Sequence, residues 1–332
     1  MPCRSGAPAG FTTTPSRAKR DAGGTPPGDL SMQIYVETGN NDQRSAIKTE
    51  LGMLAEAATR VPLIFPVDQI IVPQDFDAKV NELENSDDFR STPGLEPVAR
   101  TVHTRAGYVL LFHPNLYTGW YDEQVRFCIY WHEFTKLVNR GRFPLLVRRG
   151  RPDSFANYFM NLYALYGEYE ASRRSFEFRD ALVQQVYKAP LSAKARQDLE
   201  NSLDGNIRLL NNRGEYYDWI RFQISEYRKH NNTSIFLQNV RQKVTQLSFS
   251  LIYAYATMDH YPEYRVKEEA LKEAPMLNEK TRDFLEYFRF VYNRGSADLV
   301  DGIGLMEGLW ANFGFRFTDT ERGGMRCEVL DI

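Results

Sequence analysis

The chain is poor in cysteine: its 332 residues include only Cys3, Cys128 and Cys327. Three thiols, odd in number and far apart, do not make a disulfide framework, and a reducing, cytoplasmic compartment is the simplest expectation. Long apolar runs are missing as well. No stretch reaches the roughly 20 apolar residues that a membrane-spanning helix needs. Neither sign of charge is in excess, since 41 basic residues face 43 acidic ones for a formal net charge of −2. That balance removes the electrostatic reason to expect nucleic acid or an anionic membrane as partner. Histidine and tryptophan are scarce, at 5 and 4, and no internal repeat is visible.

What is present is globular composition, 42% hydrophobic and 25% charged, in a chain long enough for one large or two ordinary domains. The 19 Tyr and 21 Phe are expected to fill the spaces between helices. Residues 1–31 are rich in Gly, Pro, Ser, Thr and Ala without apolar periodicity, which predicts a disordered tail. They also lack the continuous apolar core of a secretory signal, and Met32 is a plausible alternative start.

Structure is expected from Gln33. Ile47, Leu51, Leu54, Ala55 and Ala58 fall at helical spacing within 44–59, and 69–72 reads as a short strand. Residues 81–97 read as a polar surface loop, and 107–113 (GYVLLFH) as a buried strand stopped by Pro114. Helices follow at 121–139, ahead of Gly141 and Pro144, and from Asp153 to about Phe178, with Asp153 or Ser154 as cap. From Lys194 to about Asn293 the pattern is helical, with breaks near Gly205, Gly214, Asn231, Pro262 and Pro275. Gly302, Gly304 and Gly308 miss the dinucleotide-binding spacing and read as loop.

Chemistry concentrates in Ile129-Tyr130-Trp131-His132-Glu133-Phe134-Thr135-Lys136-Leu137-Val138-Asn139. Apolar residues surround this helix, so His132, Glu133 and Lys136 would be buried polar groups in need of partners. One partner lies on the next helix, in Glu168-Tyr169-Glu170-Ala171-Ser172. Asn161, Ala164, Glu168, Ala171 and Ser175 share a stripe of small residues that lets a neighbouring helix approach, whereas Glu170 can pair with Arg174 at i+4 on another face. Glu168 is therefore expected to face inward and Glu170 outward. The basic run Arg140, Arg142, Arg148, Arg149 and Arg151 would border this region as a solvated rim or an attractor of anionic ligands.

These two strings resemble the gluzincin type of zinc metallopeptidase, in which His-Glu-x-x-His is followed by a helix bearing Glu-x-x-Ala-Asp. In that pattern i and i+4 histidines on one helix face hold Zn²⁺ and the intervening Glu activates the metal-bound water. The resemblance covers roughly residues 105–180. It implies an α+β, predominantly helical fold: a zincin-like domain with a small sheet over 32–190 and a helical C-terminal region over 191–332. It also implies zinc as cofactor, His132 and Glu168 as metal ligands, Glu133 as catalytic base, and a peptide or protein substrate lying beside a strand such as 107–113.

The sequence departs from the pattern twice. Lys136 stands where the second histidine belongs, and Ser172 stands where the supporting Asp belongs. A protonated ammonium has no lone pair to give a metal, so zinc-dependent hydrolysis is expected to be impaired or lost, leaving a peptide-binding pseudoenzyme. Lys136 would then substitute for the cation between Glu133 and Glu168. Three other readings stand beside this one. His-Glu could be a coincidence on an ordinary core helix. Cys128, one turn before His132, could join His132 and Glu168 in an altered zinc site. The chain could instead be a non-enzymatic helical interaction module with residues 194–311 as its surface.

Overall fold

A computed structural model describes residues 32–60, 67–87, 89–90, 98–105, 107–142, 153–271, 274, 279–295, 299–321 and 324–330. The expected tail and most of the basic run lie outside the described residues. Four strands form the first sheet: β1 (Gln33–Val36), β2 (Val67–Val72), β3 (Ala99–His103) and β4 (Tyr108–Phe112), in the order β1-β2-β4-β3. β1, β2 and β4 run parallel, and β3 returns antiparallel to β4. Strands covered on both faces read as continuous apolar runs, as β4 (YVLLF) does. Ile70, Val72, Leu110 and Phe112 point to one core, and Ile71, Val109 and Leu111 to another.

Helix α1 (Asn41–Thr59) covers the first face with Ile47, Leu51, Leu54 and Ala58. Its start is fixed by a reciprocal cap: Asn40 accepts from the Gln43 N–H at 2.9 Å, and the Gln43 side chain accepts from the Asn40 N–H at 3.0 Å. α2 (Phe76–Glu84) closes the second face with Phe76 and Val80. Two sequence expectations change here. The first four residues of the predicted 81–97 loop are the end of α2, whose nine residues are too few to show a clear period. The strand near 107–113 is interior, between β2 and β3, so the antiparallel edge belongs to β3.

α3 (Glu123–Arg142) lies on the sheet through Phe127, Tyr130, Phe134 and Leu137, and α4 (Asp153–Tyr187) packs against α3. Trp131 of α3 stacks on Phe178 of α4 with ring centroids 3.9 Å apart. Behind α3, the buried Glu50 accepts from Arg126 at 2.7 and 2.8 Å and from the Tyr130 hydroxyl at 2.7 Å. That pairing satisfies a carboxylate that would otherwise be costly inside.

The remaining chain is mostly helical: α5 (Ala193–Asn211), α6 (Arg213–His230), α7 (Thr233–His260), a 3-10 segment (Pro262–Leu271), α8 (Glu279–Arg294) and α9 (Ile303–Asn312). Gly205 and Gly214 sit inside α5 and α6 rather than breaking them; the break is Asn212, whose side chain caps α6. Gly304 and Gly308 likewise lie inside α9, and Gly302, which ends a 3-10 turn just before it, is packed: a Cβ there would meet Tyr287 of α8 at 2.4 Å. β5 (Phe315–Asp319) and β6 (Met325–Val329) form a hairpin docked on α4. Asp319 accepts from the Ser154 N–H at 2.9 Å and from its hydroxyl at 2.6 Å, which caps α4 from a distant part of the chain. α4 also sends Leu162, Tyr166, Tyr169 and Phe176 into the C-terminal aromatic core around Phe288 and Trp310. The whole is α+β and predominantly helical, with one long helix serving two cores. Among the described residues no helix is long and apolar enough to cross a membrane.

Candidate functional site

α3 turns its apolar face to the sheet, and its other face, with Val125, Cys128, His132, Glu133 and Lys136, lines a cavity of about 1180 Å³. Glu168 and Ser172 of α4 form the adjoining wall, α5 and α7 close the far side, and His113 at the end of β4 reaches the rim. Sequence patterning alone suggested complete burial of α3. Instead its polar stripe is held at a cavity wall, with the side chains of His132, Glu133 and Lys136 21%, 13% and 29% exposed.

The four expected site residues meet. Lys136 Nζ lies 2.9 Å from Glu168 Oε1 and 3.2 Å from Glu133 Oε1, so one ammonium bridges two carboxylates from two helices. The other oxygen of Glu168 is 2.9 Å from His132 Nε2. Helix periodicity explains the convergence, because His132, Glu133 and Lys136 occupy consecutive turns of α3 opposite the small-residue stripe of α4. Burial pushes the Glu168 carboxyl up, but the His132 hydrogen bond and the nearby His132 and Lys136 charges outweigh it and pull the group down to about 2. Burial also pushes Lys136 down, and the opposing pull of Glu133 and Glu168 wins, so the ammonium loses its proton less readily than usual.

This donor set does not fit Zn²⁺. The i+4 position holds a firmly protonated amine, and the two candidate ligands, His132 and Glu168, hydrogen-bond to each other. Among the described residues no group of three His, Cys, Asp or Glu converges as metal ligands. The altered Cys128 site is not assembled either. Cys128 Sγ donates to Ser175 Oγ at 3.2 Å, and burial raises its thiol.

Other expectations divide. Glu170 does not face outward: it is 3% exposed and accepts from Arg174 Nε at 2.7 Å. The reason is that α4 is covered on more than one side, so pairing with Arg174 at i+4 does not imply solvent. His113 caps the turn after β4, accepting from the Asn115 N–H at 3.1 Å, and packs on Phe76. Arg179 and Trp120 were not anticipated. Arg179 lines the cavity three turns beyond Glu168, a spacing visible in the sequence, whereas Trp120, 82% exposed at the mouth, sits in a loop with no periodic signal.

No protein-family model, curated protein or solved structure matches the chain.

Proposed function

We propose that this chain is a degenerate relative of the zinc peptidases, in which a tethered ammonium replaces the metal and the cleft binds peptide without zinc-dependent hydrolysis. The observation that carries the reading is the position of Lys136 Nζ, 2.9 Å from Glu168 and 3.2 Å from Glu133. Two carboxylates turned toward one cavity wall would repel each other, and a cation between them removes that repulsion. His132 completes the arrangement by hydrogen-bonding to Glu168, which leaves the imidazole fixed in orientation.

A cavity wide enough for several side chains supports an extended peptide as the ligand class. Lys136 has donor capacity beyond its two carboxylates, and no partner is found among the described residues for Glu133 Oε2. A donor beside an acceptor suits the carbonyl and N–H of a peptide group.

Metal content and one substitution test the reading together. Purified wild-type protein is expected to hold no stoichiometric zinc, while Lys136→His gains zinc affinity because it restores the missing imidazole. Stoichiometric zinc in the wild type would sink the replacement of the metal by Lys136, whereas no gain in the variant would sink the ancestry and leave a helical interaction protein.

A further inference from the structure

At the opposite end of the cavity from Lys136 lies Arg179, 1% exposed yet part of the cavity wall. Its Nε donates to Asp180 Oδ1 at 3.1 Å and its Nη2 donates to the Tyr261 hydroxyl. The guanidinium also lies over the rings of Phe176 and Tyr261, 5.5 Å from each centroid. A guanidinium carries five N–H donors, and among the described residues Nη1 has no acceptor. The side chain that carries this unpaired donor lines the cavity.

The counter-ion sits on the other side. Asp180 lines a separate, smaller cavity of about 310 Å³ and divides its oxygens among Arg179, the Tyr261 hydroxyl at 3.0 Å and His260 Nε2 at 2.9 Å. Within the large cavity the positive end of Arg179 is therefore presented without its carboxylate. The part of the wall supplied by α5 and α7 includes neutral groups, Ser202, Gln246 and Ser250. The nearest wall acid from those helices, Asp198, is taken by Lys194 at 3.3 Å. Glu133 and Glu168 are held by Lys136 at the other end.

We propose that Arg179 makes this end of the cavity a carboxylate subsite, suited to the C-terminal carboxylate of a short peptide whose body extends toward Glu133 and Lys136. The assignment of a peptide rests on the function proposed above; the carboxylate chemistry rests on Arg179 alone. Eleven residues of α4 separate Glu168 from Arg179, roughly 16 Å at the helical rise. An extended chain covers that distance in about five residues. A ligand carboxylate would accept from Nη1 in a charge-assisted bond.

The test compares two N-acetyl pentapeptide pools lacking Asp and Glu, one with free C-termini and one C-terminally amidated, with glutarate as a small carboxylate. Binding to the full chain is followed by calorimetry. The free acids are expected to bind at least about tenfold more tightly than the amides, the scale of a hydrogen bond to a charged group. Arg179→Lys, checked for folding by circular dichroism, is expected to shrink that ratio, because lysine lacks the planar fork. The acid–amide comparison on the wild type needs no variant, so misfolding cannot obscure it. Equal binding of acids and amides overturns the subsite and leaves the peptide reading standing. Glutarate binding that is lost in Arg179→Lys, with no binding of either pool, supports the carboxylate site and ends the peptide reading. No binding of any carboxylate overturns the proposal.

Discussion

At the scale of single residues, the polarity of the cavity wall depends on how one carboxylate is held. Glu168 is ionised far below the ordinary carboxylate range, at about 2, because burial is outweighed by its bond to His132 and by the Lys136 charge. A group held lower in the folded state than in the unfolded chain stabilises the fold above its ordinary value of 4.5 and loses that contribution as pH falls toward about 2. Denaturant titrations between pH 7 and pH 2 should therefore show an acid limb worth on the order of 2–3 kcal/mol. Glu168→Gln should be less stable at pH 7 and should lack that limb; an unchanged limb would assign acid sensitivity elsewhere. The choice of Glu168 over Glu170 as the group facing α3 was legible from spacing, because small residues at i and i+4 mark the face another helix approaches. The burial of Glu170 was not legible, since it depends on how many neighbours cover α4.

At the scale of elements, α4 is the member that other parts of the chain hold in position. Its first turn is capped by Asp319 from β5, 165 residues along the chain from Ser154. Asp319→Ala should cost about 1–2 kcal/mol by freeing N–H groups at the helix start. The loss should be read in a thermal melt, and hydrogen exchange should rise first at residues 154–157. An effect confined to the hairpin would show that the cap does not hold α4. Helices α1, α3 and α4 announced themselves through long apolar periods, although α3 continues through Gly141 to Arg142 and α4 continues past Phe178 to Tyr187. β3 did not, because only Val102 of its five residues is buried, so no alternation marks it. α9 was hidden for a different reason: Gly304 and Gly308 read as breakers, yet both lie inside it, and Gly302 at its cap lets Tyr287 come close. Local propensity gave way to packing between α8 and α9.

At the scale of the whole molecule, two cores meet along one rod. The sheet side supplies α3, the C-terminal helices supply the opposite wall, and α4 belongs to both. Because Leu162, Tyr166, Tyr169 and Phe176 anchor α4 in the aromatic core while Glu168 and Ser172 face the cavity, the two walls cannot part without unpacking buried rings. The hollow is therefore expected to keep a fixed calibre and to fill through its mouth and not by a hinge. On the function proposed above, uptake of a pentapeptide should follow a single exponential in stopped-flow fluorescence, with a rate that rises linearly with ligand concentration. A plateau at high concentration would reveal a slow opening step and would mean that the rod bends. With no hinge to set, guests should sort by how they thread past Trp120 at the entrance, making girth as selective as charge.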